Sequence, residues 1–395
     1  MRLFRSTLAT AEGALPVRRR FLATAAALLL VGGVAGSAAA DTPTRRSPQA
    51  APASVQVPSG VTAGVAVFDR QTGTFTEQLN ASAPFRSASV VKVLLALDFL
   101  WDRGPDYTIP AADRALLEPM LRSSKDQAAS HYWSENGGSA IIDRMVGRLG
   151  LKDTAPPPAA YPGYWGYTAL SARDTVTIYR YLLDSAPGPV RDFIMGNLRQ
   201  STRCASDGFD QHFGIAGAFE KPWAVKQGWS GSYEKGTCGT ATAAATAAPS
   251  RVAAADVDLT RPALHSTGTV GAGDRSIVAV YTLHPVGTSY GKAYTDIGRL
   301  TRSLNVPGAA RPAGWWYGTW SDHVNVRPDP STSNPAITQL PAGVEVLIGC
   351  QKRGQKVSVP PYTNDWWAYL PQYGGWISNI YVSSPDNKIP DVKEC

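Results

Sequence analysis

Strand patterns stand at both ends of residues 56–305 and helical patterns fill the space between them, an order that constrains the fold more than any other feature. At the near end, Val65-Ala66-Val67-Phe68 and Thr74-Phe75-Thr76 flank the turn Asp69–Gly73, which predicts a β-hairpin over Val61–Gln78. Ser89–Leu100 follows as an apolar segment of helical length that opens on a serine, a residue type suited to an N-cap. Ala111–Leu121, Asp126–Trp133, Ala140–Leu149 and Ser171–Leu183 each place Leu, Met or Ile on one helical face. Strand patterns return at Trp223–Gly228, Leu264–Val270 and Arg275–Leu283, and a helix over Tyr290–Leu304 ends the region. Such an order predicts an α+β domain: one antiparallel sheet fed from both ends of the segment, with a helical domain inserted between its strands.

The flanks read differently. Arg18-Arg19-Arg20-Phe21-Leu22, an uncharged Ala/Gly/Leu stretch and Ala38-Ala39-Ala40 predict a twin-arginine export signal over residues 1–40. The competing reading, a membrane anchor, is weaker because Ala and Gly contribute little transfer energy. Residues 41–55 are rich in Pro and Ala and predict a tether. The formal charge of +7 includes five Arg and one Glu from residues 1–40, so the processed chain would carry about +3, too little for a nucleic-acid footprint. Beyond the signal no long apolar run remains, so no stable membrane span is expected after processing. Residues 306–315 predict a linker, and 316–395 hold short strands between turns (324–327, 343–348, 366–370 and 375–377), the spacing of a small β-barrel. No pair of the four cysteines shows a C-x-x-C spacing, which argues against zinc. In an exported chain two disulfides are expected, and Cys204–Cys238 with Cys350–Cys395 keeps each bridge inside one proposed domain.

Ser89-Val90-Val91-Lys92 is S-x-x-K at a helix start. On a helix, residues i and i+3 share a face, so the lysine amine can reach the serine hydroxyl. A serine hydroxyl is a poor nucleophile until a base removes its proton, and a desolvated lysine can be that base. The pattern alone means little, since Ser232-Tyr233-Glu234-Lys235 also matches it in a Gly-rich stretch without a helix. Its context adds weight: Ser124-Lys125-Asp126 heads a later helix, and Lys226-Gln227-Gly228-Trp229 ends a later strand.

In that order the three motifs resemble the penicillin-recognising serine enzymes, the β-lactamase and D,D-peptidase superfamily, with the class A β-lactamase layout nearest. The resemblance covers about Val55–Asn305 and includes Leu264–Gly268 and Arg275–Val280 as closing strands. It implies that Ser89 is acylated and Lys92 takes its proton. Ser124 would pass a proton to the leaving amine, and Lys226 would supply positive potential. The backbone N–H groups of Ser89 and Trp229 would form an oxyanion hole, with Asp126, Gln227 and Gly228 at the substrate. No cofactor or metal is implied. The partner would be a cell-wall peptide or a β-lactam-like small molecule.

Departures from the family pattern carry information. Asp126 stands where the family usually has Asn, Lys125 where it has Asp, and Gln227 where it has Thr or Ser. The loop Leu151–Tyr167 matches the family's omega loop in position but holds no Glu, only Asp153 at its edge. Class A β-lactamases use a Glu there to activate deacylating water, so a long-lived acyl-enzyme is expected, peptidase-like rather than efficiently β-lactam-hydrolysing. The alternative is a catalytically inactive wall-binding protein; a true β-lactamase would need another base. Residues 316–395 resemble bacterial SH3-like modules through Asn325-Val326-Arg327, the turn Leu340–Gly343, Trp366-Trp367 and Gly375-Trp376-Ile377, which implies peptidoglycan contact and a secreted or wall-associated protein. Gly287-Thr288-Ser289-Tyr290-Gly291 also matches G-x-S-x-G, but the only later histidine, His323, lies in the appended module. The tryptophans Trp315-Trp316, Trp366-Trp367 and Trp376 are read as core rather than glycan-facing.

Overall fold

A computed structural model describes residues 55–231, Cys238 and 257–395. The expected export signal, the tether over 41–54, the second S-x-x-K match and the low-complexity stretch at 240–255 lie outside the described residues.

The chain enters through strand β1 (Thr62–Asp69), turns at Gly73 and returns as β2 (Thr74–Leu79). A short β3 (Phe85–Arg86) and a 3-10 turn (Ala88–Val91) lead into α1 (Lys92–Trp101). Then come α2 (Ala111–Arg122), α3 (Asp126–Glu135), α4 (Ala140–Leu149), β4 (Ala169–Leu170), α5 (Ala172–Asp184), α6 (Gly188–Arg199) and the single turn α7 (Ile215–Ala218). Strands β5 (Trp223–Ser230), β6 (Ala263–Val270) and β7 (Ser276–Leu283) complete a five-stranded antiparallel sheet of order β2-β1-β7-β6-β5, and α8 (Tyr290–Ser303) follows. The architecture is therefore α+β, with α1–α7 between β2 and β5 and α8 after β7.

Both faces of this sheet are covered, and the period of two along each strand distributes its side chains. Ala66 and Phe68 of β1 and Ala279 and Tyr281 of β7 join the core built on α1, α5 and α6, while Val65, Val67, Val278 and Val280 join the core under α8. That is why β1 reads as nearly unbroken apolar sequence. Helix α1 is buried almost all round, as expected of a helix apolar on every face. Its one carboxylate in this setting, Asp98, is held by Arg144 at 3.0 and 2.7 Å and Arg148 at 3.2 Å, so the buried charge is paired.

Helices α6 and α7 were not expected. The sequence of α6, with Gly188 and Pro189 at its start, reads as a breaker, yet Pro at the first helical positions is tolerated because its missing N–H would have no helical partner there.

The C-terminal strands β8 (Trp315–Gly318), β9 (Val324–Val326), β10 (Thr338–Leu340), β11 (Glu345–Ile348), β12 (Cys350–Val359), β13 (Tyr362–Leu370) and β14 (Gly375–Ser378) form small sheets, β10-β9, β11-β8 and β12-β13-β14, rather than one continuous barrel ladder. Val326, Val346, Ile348, Leu370 and Ile377 share one apolar cluster with Ile297 and Leu300 of α8. A Cβ on Gly291 of α8 would lie 2.0 Å from the Ala342 carbonyl oxygen, so helix and strands meet backbone to backbone. Residues 306–315, expected as a linker, are pinned along the way: Glu220 N donates to Ala310 O at 2.9 Å and Ser276 Oγ to Pro307 O at 2.7 Å. Both disulfides have the expected connectivity, Cys204–Cys238 and Cys350–Cys395, with Cα–Cα distances of 5.3 and 5.2 Å.

Candidate active site

Ser89 sits inside the 3-10 turn ahead of α1 and does not cap it; this corrects the expectation of an N-cap serine. The turn is reached through Ala88 at φ +45°, a sparsely populated conformation for a residue with a Cβ. The local bend sends the Ser89 hydroxyl to the lysine side chain rather than to a helix N–H.

Lys92 Nζ lies 2.8 Å from Ser89 Oγ, within the reach required of a general base. It also lies 2.6 Å from Ser124 O, 3.4 Å from Ser124 Oγ and 2.5 Å from Asp126 Oδ1. Ser124 takes φ +60° at the join of α2 and α3, which turns both its carbonyl and its hydroxyl inward. From the other side Lys226 Nζ, on β5, donates to Ser124 Oγ at 2.6 Å and to Gln227 O at 3.0 Å. One hydroxyl thus stands between two amines.

Burial is the leading influence on both. Lys92 has no exposed side-chain surface, and desolvation holds its amine below the ordinary lysine value against the opposing pull of Asp126. Lys226 is held well below that value by burial, and then by the charge of Lys92. Asp126 stays two-thirds open to solvent, with 67% of its side-chain surface exposed, so its pairing with Lys92 is screened on one side.

Ser89 and Asp126 carry this cluster to a cleft of about 370 Å³, lined also by Ser130, Trp165, Trp229 and Ser230 among others, while Lys92, Ser124 and Lys226 lie behind its lining. From the loop over 151–167, Gly163–Tyr167 also line it. Its Trp165 ring centroid lies 4.7 Å from Lys92 Nζ, and Trp165 Nε1 donates to Ser130 Oγ at 3.2 Å. Asp153, the loop's acid, accepts from Ser171 Oγ at 3.1 Å and is not part of the cleft lining. Trp229 is stacked on Phe209 with centroids 4.7 Å apart and its Nε1 reaches Asp207 Oδ2 at 3.3 Å.

Gln227 is a correction. Alternation along β5 turns it away from Lys226, and its Nε2 donates to Gln211 O at 3.0 Å and Phe213 O at 2.6 Å. Its amide nitrogen is bonded inside the protein and the side chain is fully buried, so it does not face the cleft. Gly228 also differs from expectation in kind: a Cβ there would meet Ser87 O at 2.9 Å and Val90 Cγ2 at 3.1 Å, so the absent side chain lets β5 lie directly against the Ser89 turn. Gly228→Ala should force the two apart, because the nearest atom in the way is backbone; it should lower acylation of Ser89 by about tenfold to a hundredfold and also lower the thermal midpoint, as rapid-mixing kinetics and thermal melts on the variant would measure.

Sequence reading passed over Trp165, Ser130 and Ser230. Ser130 was within reach, since it follows Asp126 by four residues on α3 and so shares its face. Trp165 was not, because nothing periodic in a Pro/Tyr/Gly loop says which residue turns inward. Among the described residues no cluster of three or more His, Cys, Asp or Glu side chains could hold a metal, and no helix is long and apolar enough to cross a membrane.

No family model matches the chain. Over 175 residues it is 40% identical to the protein named "Putative lipoprotein LppW" in Mycobacterium tuberculosis and Mycobacterium bovis; that is 43% of this chain, and the match spans about half, 54%, of each relative. Among solved structures, a class A beta-lactamase from Mycobacterium abscessus is 18% identical with a TM-score of 0.44 over 62% of this chain and 92% of its own. The structure of PBP-A is 16% identical with a TM-score of 0.44, over 63% and 90%. Similarity of that size does not by itself assign a fold family.

Proposed function

We propose that the protein is an exported serine hydrolase or acyl transferase that forms an acyl-enzyme on Ser89 and acts on amide bonds of cell-wall peptides or β-lactams. The observation that carries the reading is the buried relay Ser89–Lys92–Ser124–Lys226, with its two amines on one hydroxyl, opening on a cleft. Lys92 in its neutral form accepts the Ser89 proton as Oγ attacks the carbonyl carbon. Negative charge then collects on the carbonyl oxygen, where the backbone N–H groups of Ser89 and Trp229 would receive it. As the C–N bond breaks, Ser124 delivers a proton to the leaving nitrogen and is re-protonated through the lysines. Lys226 keeps the potential positive for a substrate carboxylate. Asp126, at the cleft and on Lys92, would meet the ligand on the open side.

Release from Ser89 is the slow half. The loop above the cleft offers Trp165 where a water-activating acid would be needed, which favours a D,D-peptidase-like enzyme over an efficient β-lactamase. The turned-away Gln227 keeps a second reading in play, a catalytically inactive wall-binding protein on the same scaffold. Two disulfides support export to an oxidising compartment. The C-terminal strands, on the SH3-like resemblance, would contact peptidoglycan.

Incubation with a fluorescent penicillin tests this. Intact-mass spectrometry should show one adduct that maps to the Ser89 peptide, persists for many minutes and is missing from Ser89→Ala. Absence of any adduct from penicillin and from wall-peptide substrates would sink the enzymatic reading and leave the wall binder.

A further inference from the structure

A second concavity lies away from Ser89, among the C-terminal strands: a cleft of about 610 Å³. Two aromatic rings flank it. Trp320 is 49% exposed and Tyr362 is 62% exposed, whereas Trp366 and Trp367, on the same strand as Tyr362, are buried at 7% and 2%. Exposed aromatics are therefore not a general feature of this module; they gather here. Trp320 is fixed by its Nε1, which donates to Ile380 O at 2.7 Å, so its open face is held in place rather than free to turn.

The rest of the lining sets amides, hydroxyls and one acid among the apolar Ile380, Val382 and Pro385. Asn379 Nδ2 donates to Gln351 Oε1 at 3.0 Å and Asn387 O at 3.1 Å, and Asn364 Nδ2 donates to Asn387 O at 3.0 Å. These bonds lock the segment from Asn379 to Asn387 that makes one wall. Asn379 Oδ1 has no donor among the described residues. Asp386 is the only charged residue in the lining, and no Lys, Arg or His joins it.

We propose that this cleft binds a neutral, hydroxyl-rich β-linked saccharide, whose ring faces stack on Trp320 and Tyr362 while its hydroxyls meet the Asn and Asp386 groups. Aromatic rings with one wet face suit the C–H face of a sugar, and fixed amides and a carboxylate suit its hydroxyls. The lack of any base excludes an acidic polymer as the natural occupant. Volume agrees, since clefts of about 300–1,000 Å³ hold ligands from one ring to a few. The inference deepens the wall-contact reading of the C-terminal strands and is independent of the chemistry at Ser89.

The test uses the full chain and defined probes. Titration with the tetramer of β-1,4-linked N-acetylglucosamine, followed by tryptophan fluorescence, should show saturable binding. Trp320→Ala and Tyr362→Ala should each weaken it by about tenfold, the loss expected when an aromatic anchor is truncated. Trp320→Phe, which keeps a ring, should retain most of the affinity, and Ser89→Ala should bind as the parent does. Cellotetraose separates sources: tighter binding of the acetylated tetramer points to wall glycan, equal binding to β-linked sugars at large, and both support the site. Binding that survives both alanine variants overturns it, as does no saturable binding of either sugar. If isolated sacculi are still retained in that last case, the wall-contact reading stands without this cleft; if they are not, both fail together.

Discussion

If Ser89 is acylated as proposed, Lys92→Met should lower that rate by about 10³, within the 10²–10⁴ that a positioned general base contributes. The amine lies 2.8 Å from Ser89 Oγ and is fully buried, so no solvent base can take its place. Burial favours the neutral amine and holds its pKa below the usual value of 10.5, so the parent rate should rise with pH through an apparent pKa below that value. The two lysines share Ser124, and the midpoint belongs to the pair. In Lys92→Met that rise should vanish. Stability should move the other way. Between the depressed folded value and the unfolded value near 10.5, the unfolded chain binds more protons, so a buried lysine opposes folding at neutral pH and its penalty shrinks as pH rises. The Met variant, with the exposed Asp126 left to water, should melt at or above the parent midpoint at pH 7. A stopped-flow pH series on both proteins, with thermal melts alongside, checks each sign; an unchanged rate and pH profile would remove Lys92 from the mechanism.

The second large effect is structural. Gly268→Ala should destabilise the chain by about 4 kcal/mol or more, the range reached only when a substitution breaks packing or backbone geometry outright. Gly268 has φ +154°, and a Cβ on it would lie 1.9 Å from Ala224 O and 2.9 Å from Val225 Cα. Every atom in the way is backbone of β5, so no side chain can yield. Relief requires lifting β5 from β6 at the Val225–Gly268 pair, next to the pair that carries Lys226. The measurement is chemical or thermal denaturation, with Gly73→Ala as control. Gly73 also has positive φ, +71°, but nothing within 4 Å of its added Cβ, so it should cost only about 1 kcal/mol. Equal losses in the two variants would show that conformation rather than close approach sets the penalty at Gly268.

Both predictions turn on contacts that differ in how legible they were. Ser89 and Lys92 are neighbours on one turn, and helical spacing alone brings them together, so that pair could be read from the sequence. The hairpin β1–β2, helices α1–α5 and α8, and strands β5–β7 were readable for the same reason: each buries a face whose period shows in the residues. Helix α6 was not, because Gly188 and Pro189 mimic a breaker, and β12 was not, because QKRGQKVS carries almost no apolar alternation.

Chain order and local periodicity determined the α+β arrangement, the pairing of cysteines within each part and the Ser89–Lys92 contact, all of which depend on short-range spacing or loop closure. Tertiary structure decided the rest. It set Ser124 between Lys92 and Lys226, which are separated by the whole helical insertion. It turned Gln227 inward, because a strand's alternation can be counted but its face is chosen only by what packs on it. It laid Trp165 over the amine and seated the C-terminal strands on α8. Contacts between residues far apart in sequence depend on which surfaces bury each other, and that choice is made by the packed core as a whole.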